Sequence, residues 1–314
     1  MPQNDYNQSR QEFEQFREKL YQSFNYRRDT VMELVDAIAA NTTARSPVEL
    51  SLSPLFRREY SALYKGIQEL SLTTQTNSIE AEKKEKAQCA ARLEAIAELI
   101  PTPKPEKFYL FAADVTPLPR PYAPTLEDRT IIYQPNTVKG NKPINIGHSY
   151  SVLTALPPRE STGQIPWAIP LMVNRVKSSE TGKQVGSQQL LQILTQKNLP
   201  WSNHRSVVVV DSDYSAKTFL SEQSQHPNLV VVTRVRSNRV FYQSPKISSQ
   251  PSLGHPKWYG DKFDLKDEAS WHEPNEVAQT NFTTKRGRLL NVTIQSWSDM
   301  LMRGSHNCPM HSLP

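Results

Sequence analysis

Along the first hundred positions apolar residues recur at steps of three and four, which predicts helices. Phe13, Phe16, Leu20 and Phe24 share one face, and Val31, Leu34, Val35 and Ile38 repeat the spacing after Thr30, read as an N-cap. Ser46 to Glu49, "SPVE", is a capping box with proline at the first helical position. A further helix is read from Ser53, with Leu55, Leu63, Ile67 and Leu70 as its stripe. A polar gap, "TTQTN", precedes a charged helix, "IEAEKKEKAQCAARLEAIAELI". The stripes are core, with no chemistry assigned to them. The basic pairs Arg27-Arg28 and Arg57-Arg58 read as solvated faces.

The proline-rich "PTPKPEK" cannot continue a helix, and beyond it the pattern changes. "FYLFAAD" predicts a strand ending at Asp114, and "INIGHSYSVLTAL" and "PWAIPLMVNRV" predict two more. "GSQQLLQILTQKN" has helical spacing. The valines of "SVVVVDSDYSAKTFL" predict a strand buried on both faces and ending at Asp211, with a short helix behind it. "NLVVVTRVR" is a fifth strand, so the order is β-β-β-α-β-α-β and the class α/β. From about residue 240 the texture shifts to short strands, turns and tryptophans.

Composition narrows the class. Among 314 residues the apolar fraction is 37%, enough for a globular core. No apolar run approaches the roughly 18 residues of a membrane span, and "MPQNDYNQSR" carries no leader-like stretch. Cys89 and Cys308 form no C-x-x-C pair, and the seven histidines lack metal-ligand spacing. A reducing cytoplasm is therefore expected. The net charge of +6 is compatible with a nucleic-acid partner and equally with a basic enzyme. No G-x-S-x-G elbow and no P-loop is present, so neither supports a serine hydrolase or an NTPase.

Two carboxylates remain. A carboxylate at the carboxyl end of a central strand sits where open α/β sheets place their chemistry, although Asp211 or Asp213 serves equally well to cap the following helix. In a sheet of ribonuclease-H type, the strands ending at Asp114 and Asp211 lie side by side and parallel. Two such carboxylates do not both stay charged cheaply without a cation. Mg²⁺, with Mn²⁺ as its substitute, suits oxygen ligands of this kind and would act on a phosphodiester.

The succession "FAADVTPLPR", "GHSYSVLTAL", "WAIPLMVNRV", "VVVVDSDYSAKTFL" and "VVTRVRSNRVFY" resembles the DDE transposases of bacterial insertion sequences. The resemblance covers about residues 105 to 303. It implies a ribonuclease-H-like mixed sheet at 105–240, carrying the catalytic and metal-binding Asp114 and Asp211, with Asp213 beside them as a cap or support. It implies a β-rich insertion at 241–314. The helical region at 1–100 is consistent with DNA binding. The expected activity is metal-dependent cleavage and strand transfer of the element's ends into target DNA. Double-stranded DNA is then the partner, a homodimer would hold two ends, and the setting is cytoplasmic and nucleoid-associated. Arg234, Arg236 and Arg239 are read as DNA contacts, the first two on one face of a strand. Trp258, Trp271 and Trp297 read as core, with base stacking as the alternative.

One departure qualifies the resemblance. The family's third acid, a glutamate in a Y-x-x-R-x-x-x-E segment, has no counterpart here. Glu268, Glu273 and Glu276 stand in a polar, proline-broken stretch. The expectation is a shortened transposase, inactive or incomplete as it stands. A non-catalytic DNA-binding remnant that competes with or joins the intact enzyme is the alternative.

Overall fold

The computed structural model describes residues 3–70, 79–103, 107–133, 144–158, 167–245, 257–284 and 286–312. The polar gap at 73–77, the middle of the proline-rich linker and His255 lie outside these residues. The chain forms two compact units, Met1–Thr102 with Gln196–Ser202, and Pro103–Thr195 with Asn203–Pro314.

The first unit is helical: α1 (Gln3–Gln22), α2 (Arg28–Ala39), α3 (Pro47–Leu50), α4 (Tyr60–Leu70) and α5 (Ile79–Ala97). Leu34, Ala37, Phe56 and Leu63 form one core cluster and Phe24, Val31 and Met32 another. Thr30 is not the N-cap. Arg27, in the left-handed region at φ 50°, starts α2, and Val31 N–H donates to its carbonyl at 2.9 Å. Thr30 is instead buried within α2, its methyl facing Gly66 of α4, so helix packing overrides its capping preference. Phe13, Ile38, Leu55 and Leu70 are exposed, because only part of each predicted stripe meets another helix. Turns occupy 51–58, and α4 begins at Tyr60 rather than Ser53.

Ser46 caps α3 by accepting from Glu49 N–H at 3.2 Å. The Glu49 carboxylate turns to Arg45 N–H, not to the cap residue. Arg57 and Arg58 pair with Glu33, and Arg58 also with Asp29. Arg28 donates to the Phe24 carbonyl at 2.7 Å. Three of the four basic residues are therefore engaged within the helical unit.

The second unit carries two sheets. The larger contains β1 (Tyr109–Pro119), β2 (Thr130–Tyr133), β3 (Ile144–Ala155), β4 (Ile169–Val176), β5 (Ser206–Val210) and β6 (Leu229–Thr233). Its order is β2-β3-β1-β5-β6, with β4 also paired to β3. β1 runs antiparallel to β3 and parallel to β5, and β5 runs parallel to β6. This is the ribonuclease-H-like mixed sheet, with β2 added at one edge. Helix α6 (Gly182–Thr195) packs on β1, β3 and β4, and α7 (Lys217–Gln223) packs on α6 and β6.

α6 begins four residues ahead of the predicted Gly186. "TGKQ" is itself a capping arrangement: Thr181 Oγ1 and N–H both donate to Gln184 Oε1, at 3.0 and 2.8 Å. Beside the apolar Val185, Leu190 and Ile193 the helix also buries Ser187 and Gln189. Gln189 accepts from Ser151 Oγ at 2.7 Å and donates to the Ser151 carbonyl and to Asn174, which ties α6 to β3 and β4. A buried network satisfied in this way fixes register more than it adds stability.

The smaller sheet contains β7 (Val240–Tyr242), β8 (Lys262–Asp264), β9 (Glu276–Thr283), β10 (Leu289–Met302) and β11 (Ser305–Ser312), in the order β11-β10-β7-β8 with β9 on β10. Phe241, Phe263, Trp297, Met300 and Met302 form its core, with Leu220 of α7, Val235, Leu265 and Trp271 against it. Trp297 donates to the His272 carbonyl at 2.9 Å and Trp271 to the Asp264 carbonyl at 2.8 Å. Trp271 stacks on Phe263 at 5.5 Å, whereas Trp258 is 45% exposed.

Candidate active site

Four β-branched residues give β5 its place in the middle of the sheet, between β1 and β6, but Val209 is exposed, so the strand is not buried on both faces as expected. The parallel register pairs Ala113 with Val210, the last such pair between β1 and β5. Asp114 and Asp211 are the next residues on each strand. Neighbouring strands lie about 4.8 Å apart, so the register brings these two backbones side by side at the carboxyl end of β5. β1 does not stop at Asp114, contrary to the strand end predicted there. It continues to Pro119 on β3, with Asp114 opposite Val152. Asp114 is thus anchored on a strand that outruns its parallel neighbour.

Both carboxylates are exposed and open into one cleft of about 300 Å³. Its lining adds Val115, Thr181, Gly182, Lys183, Asp213 and Tyr214. Asp114 Oδ1 accepts from Val115 N–H at 2.7 Å, and Asp211 Oδ1 accepts from Asp213 N–H at 3.0 Å. Asp211 therefore does both things its position allowed: it caps the 3-10 turn Ser212–Ser215 and it lines the cleft. Each aspartate engages one carboxylate oxygen with the backbone, which restrains the side chain in the lining of the cleft.

Lys183 and Tyr214 were not singled out as site residues, whereas Asp213 was expected beside the two aspartates as a cap or support. Asp213 lines the cleft while pairing with Arg236 Nη2 at 2.5 Å. Lys183 and Gly182 come from the first turn of α6, whose start the apolar spacing had placed too late. Tyr214 follows Asp211 by one 3-10 turn, and that return places its buried ring on the cleft wall. The signal for it was the turn geometry of "DSDYS", in which the residue three after the cap comes back toward the strand end.

The Tyr214 ring meets α6 at Gly186, where an added Cβ would stand 2.9 Å from Cε1 and 3.1 Å from the hydroxyl. Glycine is needed there for close approach. The hydroxyl lies by Ser151, whose own proton goes to Gln189, and it completes no hydrogen bond. Burial first, and then the negative charges of Asp114, Asp211 and Asp213, push the phenol up to about 12. A raised acid pKa means that the native state holds its proton more tightly than the unfolded chain. The stability this contributes is complete below pH 10 and is lost as pH rises through 12. Tyr214→Phe is expected to melt no lower than the parent at pH 7, because it deletes an unsatisfied buried hydroxyl. It should also fall less steeply between pH 10 and 12, as followed by circular dichroism.

The arginines are dispersed. β6 ends at Thr233, so Arg234 and Arg236 do not sit on a strand as expected, but in the segment leading to a turn before β7. The Thr233 hydroxyl, donating to the Asp211 carbonyl at 2.7 Å, holds the end of β6 to that of β5. Arg234 and Arg236 are exposed, and Arg239 is half-buried, with its carbonyl accepting from Leu265 N–H at 3.1 Å. None of the three lines the cleft, and neither do Glu268, Glu273 or Glu276. Among the described residues no group of three or more His, Cys, Asp or Glu side chains is arranged to hold a metal.

A mixed sheet of this order, with Asp114 and Asp211 side by side just past the last pair of its central parallel strands, is a ribonuclease-H-like core. The family model for the DDE superfamily endonuclease matches residues 19–303, and the chain belongs to that family. Members typically use a divalent metal and act on DNA. No curated protein matches the chain at a significant level. Among the described residues no helix is long and apolar enough to cross a membrane.

Proposed function

We propose that this chain is a DNA transposase whose cleft cleaves phosphodiesters at the ends of an insertion sequence and joins them to target DNA. The observation that carries the reading is the Ala113–Val210 register, which sets Asp114 and Asp211 side by side at the mouth of the cleft. Their oxygens suit a hard divalent cation, because each carboxylate is exposed, backbone-oriented and free of any ion pair among the described residues. Mg²⁺ held there would supply charge neutralisation and an activated attacking oxygen.

The chain's own residues do the rest. Asp114 and Asp211 present their oxygens from a rigid sheet, and Tyr214, kept neutral, closes the wall beside them. Lys183 lines the same cleft and offers a cation to a scissile phosphate. Arg234, Arg236 and Arg239 belong to the chain leaving β6 and contact the flanking backbone phosphates. Arg236 does so by exchanging its exposed partner Asp213, since such a surface pair is weak. Cutting two ends in one complex favours a dimer.

One observation favours a second reading, a DNA-binding protein without cleavage activity: among the described residues the lining of the cleft contains no glutamate. Incubating the purified chain with supercoiled DNA and Mn²⁺ or Mg²⁺ separates the two. Metal-dependent nicking supports the enzyme. Salt-sensitive binding without nicking supports the second reading.

A further inference from the structure

β9 and β10 form a two-stranded ribbon whose eight cross-strand pairs run from Ser296–Glu276 to Leu289–Thr283. Every residue of β9 is exposed. Two strands alone are marginal in water, so a surface kept in this form invites a partner. Alternation sorts the side chains into unlike faces. Gln279, Asn281 and Thr283 share one face with Asn291, Thr293 and Gln295, flanked there by Val277 and Leu289 at its two ends, whereas Phe282, Leu290, Val292 and Ile294 share the other with Glu276, Ala278, Thr280 and Ser296. The connection holds Thr284 and, before β10, Arg286, Gly287 and Arg288. Thr284 N–H donates to the Arg288 carbonyl at 2.9 Å and Gly287 N–H donates to the Thr284 carbonyl at 2.9 Å. Gly287 sits at φ 77°, the left-handed position a three-residue hairpin loop assigns to glycine. Arg286 and Arg288 are exposed at this tip, and neither pairs with an acid among the described residues.

We propose that this ribbon is a sequence-reading arm that enters the major groove of duplex DNA, amide face inward, with Arg286 and Arg288 on the flanking phosphates. The dimensions agree. Eight residues span about 27 Å, and a B-DNA major groove about 12 Å wide admits a two-stranded ribbon. The chemistry agrees as well, since Asn and Gln pair with the adenine edge through both groups of the amide, and Arg supplies the charge that phosphates select. A protein partner would be met through the apolar face and would leave both the amides and the unpaired arginines unexplained. The inference rests on the DNA reading above but assigns a different part of the chain to sequence choice.

The test selects preferred sequences from randomised duplexes with the full chain in EDTA, then measures affinity against salt. Arg286→Ala with Arg288→Ala is expected to weaken binding to all sequences and to flatten the salt slope by about 1 to 2. Asn281→Thr with Asn291→Thr keeps strand-forming residues. It is expected to leave that slope alone and to lower preference for the selected sequence about tenfold or more. Unchanged binding and selectivity in both variants would overturn the arm while leaving metal-dependent nicking, and hence the endonuclease reading, intact. Loss of self-association in place of DNA affinity would overturn it in favour of a protein contact. A parent chain that binds no duplex would overturn the arm and the DNA reading together.

Discussion

Asp211→Asn is expected to abolish metal-dependent nicking while leaving the fold and DNA binding in place, and Asp114→Asn to do the same. The amide keeps the shape of the side chain and its acceptor oxygen, so the bonds from Asp213 N–H and Val115 N–H survive in the respective variants. What is lost is charge. Electrostatic stabilisation by a bound metal is worth several kcal/mol in such reactions, and each 1.36 kcal/mol is tenfold in rate. The expected fall is about three orders of magnitude or more, read as the rate of supercoil relaxation. A structural role for Asp211 gives the opposite pattern. If it served only to cap Ser212–Ser215, asparagine would cap as well and nicking would persist. The two variants should also not be additive, because removing either side of a shared site disables it. The double variant is then no worse than either single one, and a clearly additive loss would mean that the aspartates do not act as a unit.

The sheet was legible in the sequence because the apolar pattern of its main strands is simple. A run of valines has few alternatives to a central strand, and the order of elements then set β1 beside β5. Positions decided by a local competition were less legible. Thr30 satisfies every rule for an N-cap, yet it is buried in α2 against α4, since packing offers more than a cap can. β2, only Thr130–Tyr133, carries too few residues to show an alternation, and it owes its existence to β3 beside it.

The site divides in the same way. Asp211 follows from a strand end, which a sequence displays, whereas Asp114 was found beside it although β1 runs on to Pro119. Lys183, Asp213 and Tyr214 reach the cleft through the start of a helix and a single 3-10 turn, and shifting either by a residue would aim them elsewhere. The arginines were misplaced because "VVVTRVR" keeps its alternation past Thr233, where the hydrogen bonds of the ladder stop.

Trp297→Ala is expected to cost about 3–5 kcal/mol of stability, the range for removing a buried large aromatic. Trp297 is 1% exposed, and its ring meets Phe263 at 5.1 Å and Trp271 at 5.6 Å, each edge to face. Its indole N–H is the donor that satisfies the His272 carbonyl, so the variant also leaves that acceptor unpaired. Leu220 of α7 and Val235, just past the end of β6, pack on the same cluster, so the loss should not stay within the smaller sheet. In thermal unfolding a drop of this size appears as a melting temperature lower by roughly ten degrees. The alternative role for this residue, stacking on an unpaired base, requires an open ring face and predicts a different result: unchanged stability with weakened single-strand binding. Trp258, at 45% exposure, is the internal control. Trp258→Ala should melt close to the parent, and if either tryptophan supports base stacking it is this one. Equal melting of the Trp297 variant and the parent would mean that the aromatic cluster does not hold the smaller sheet together.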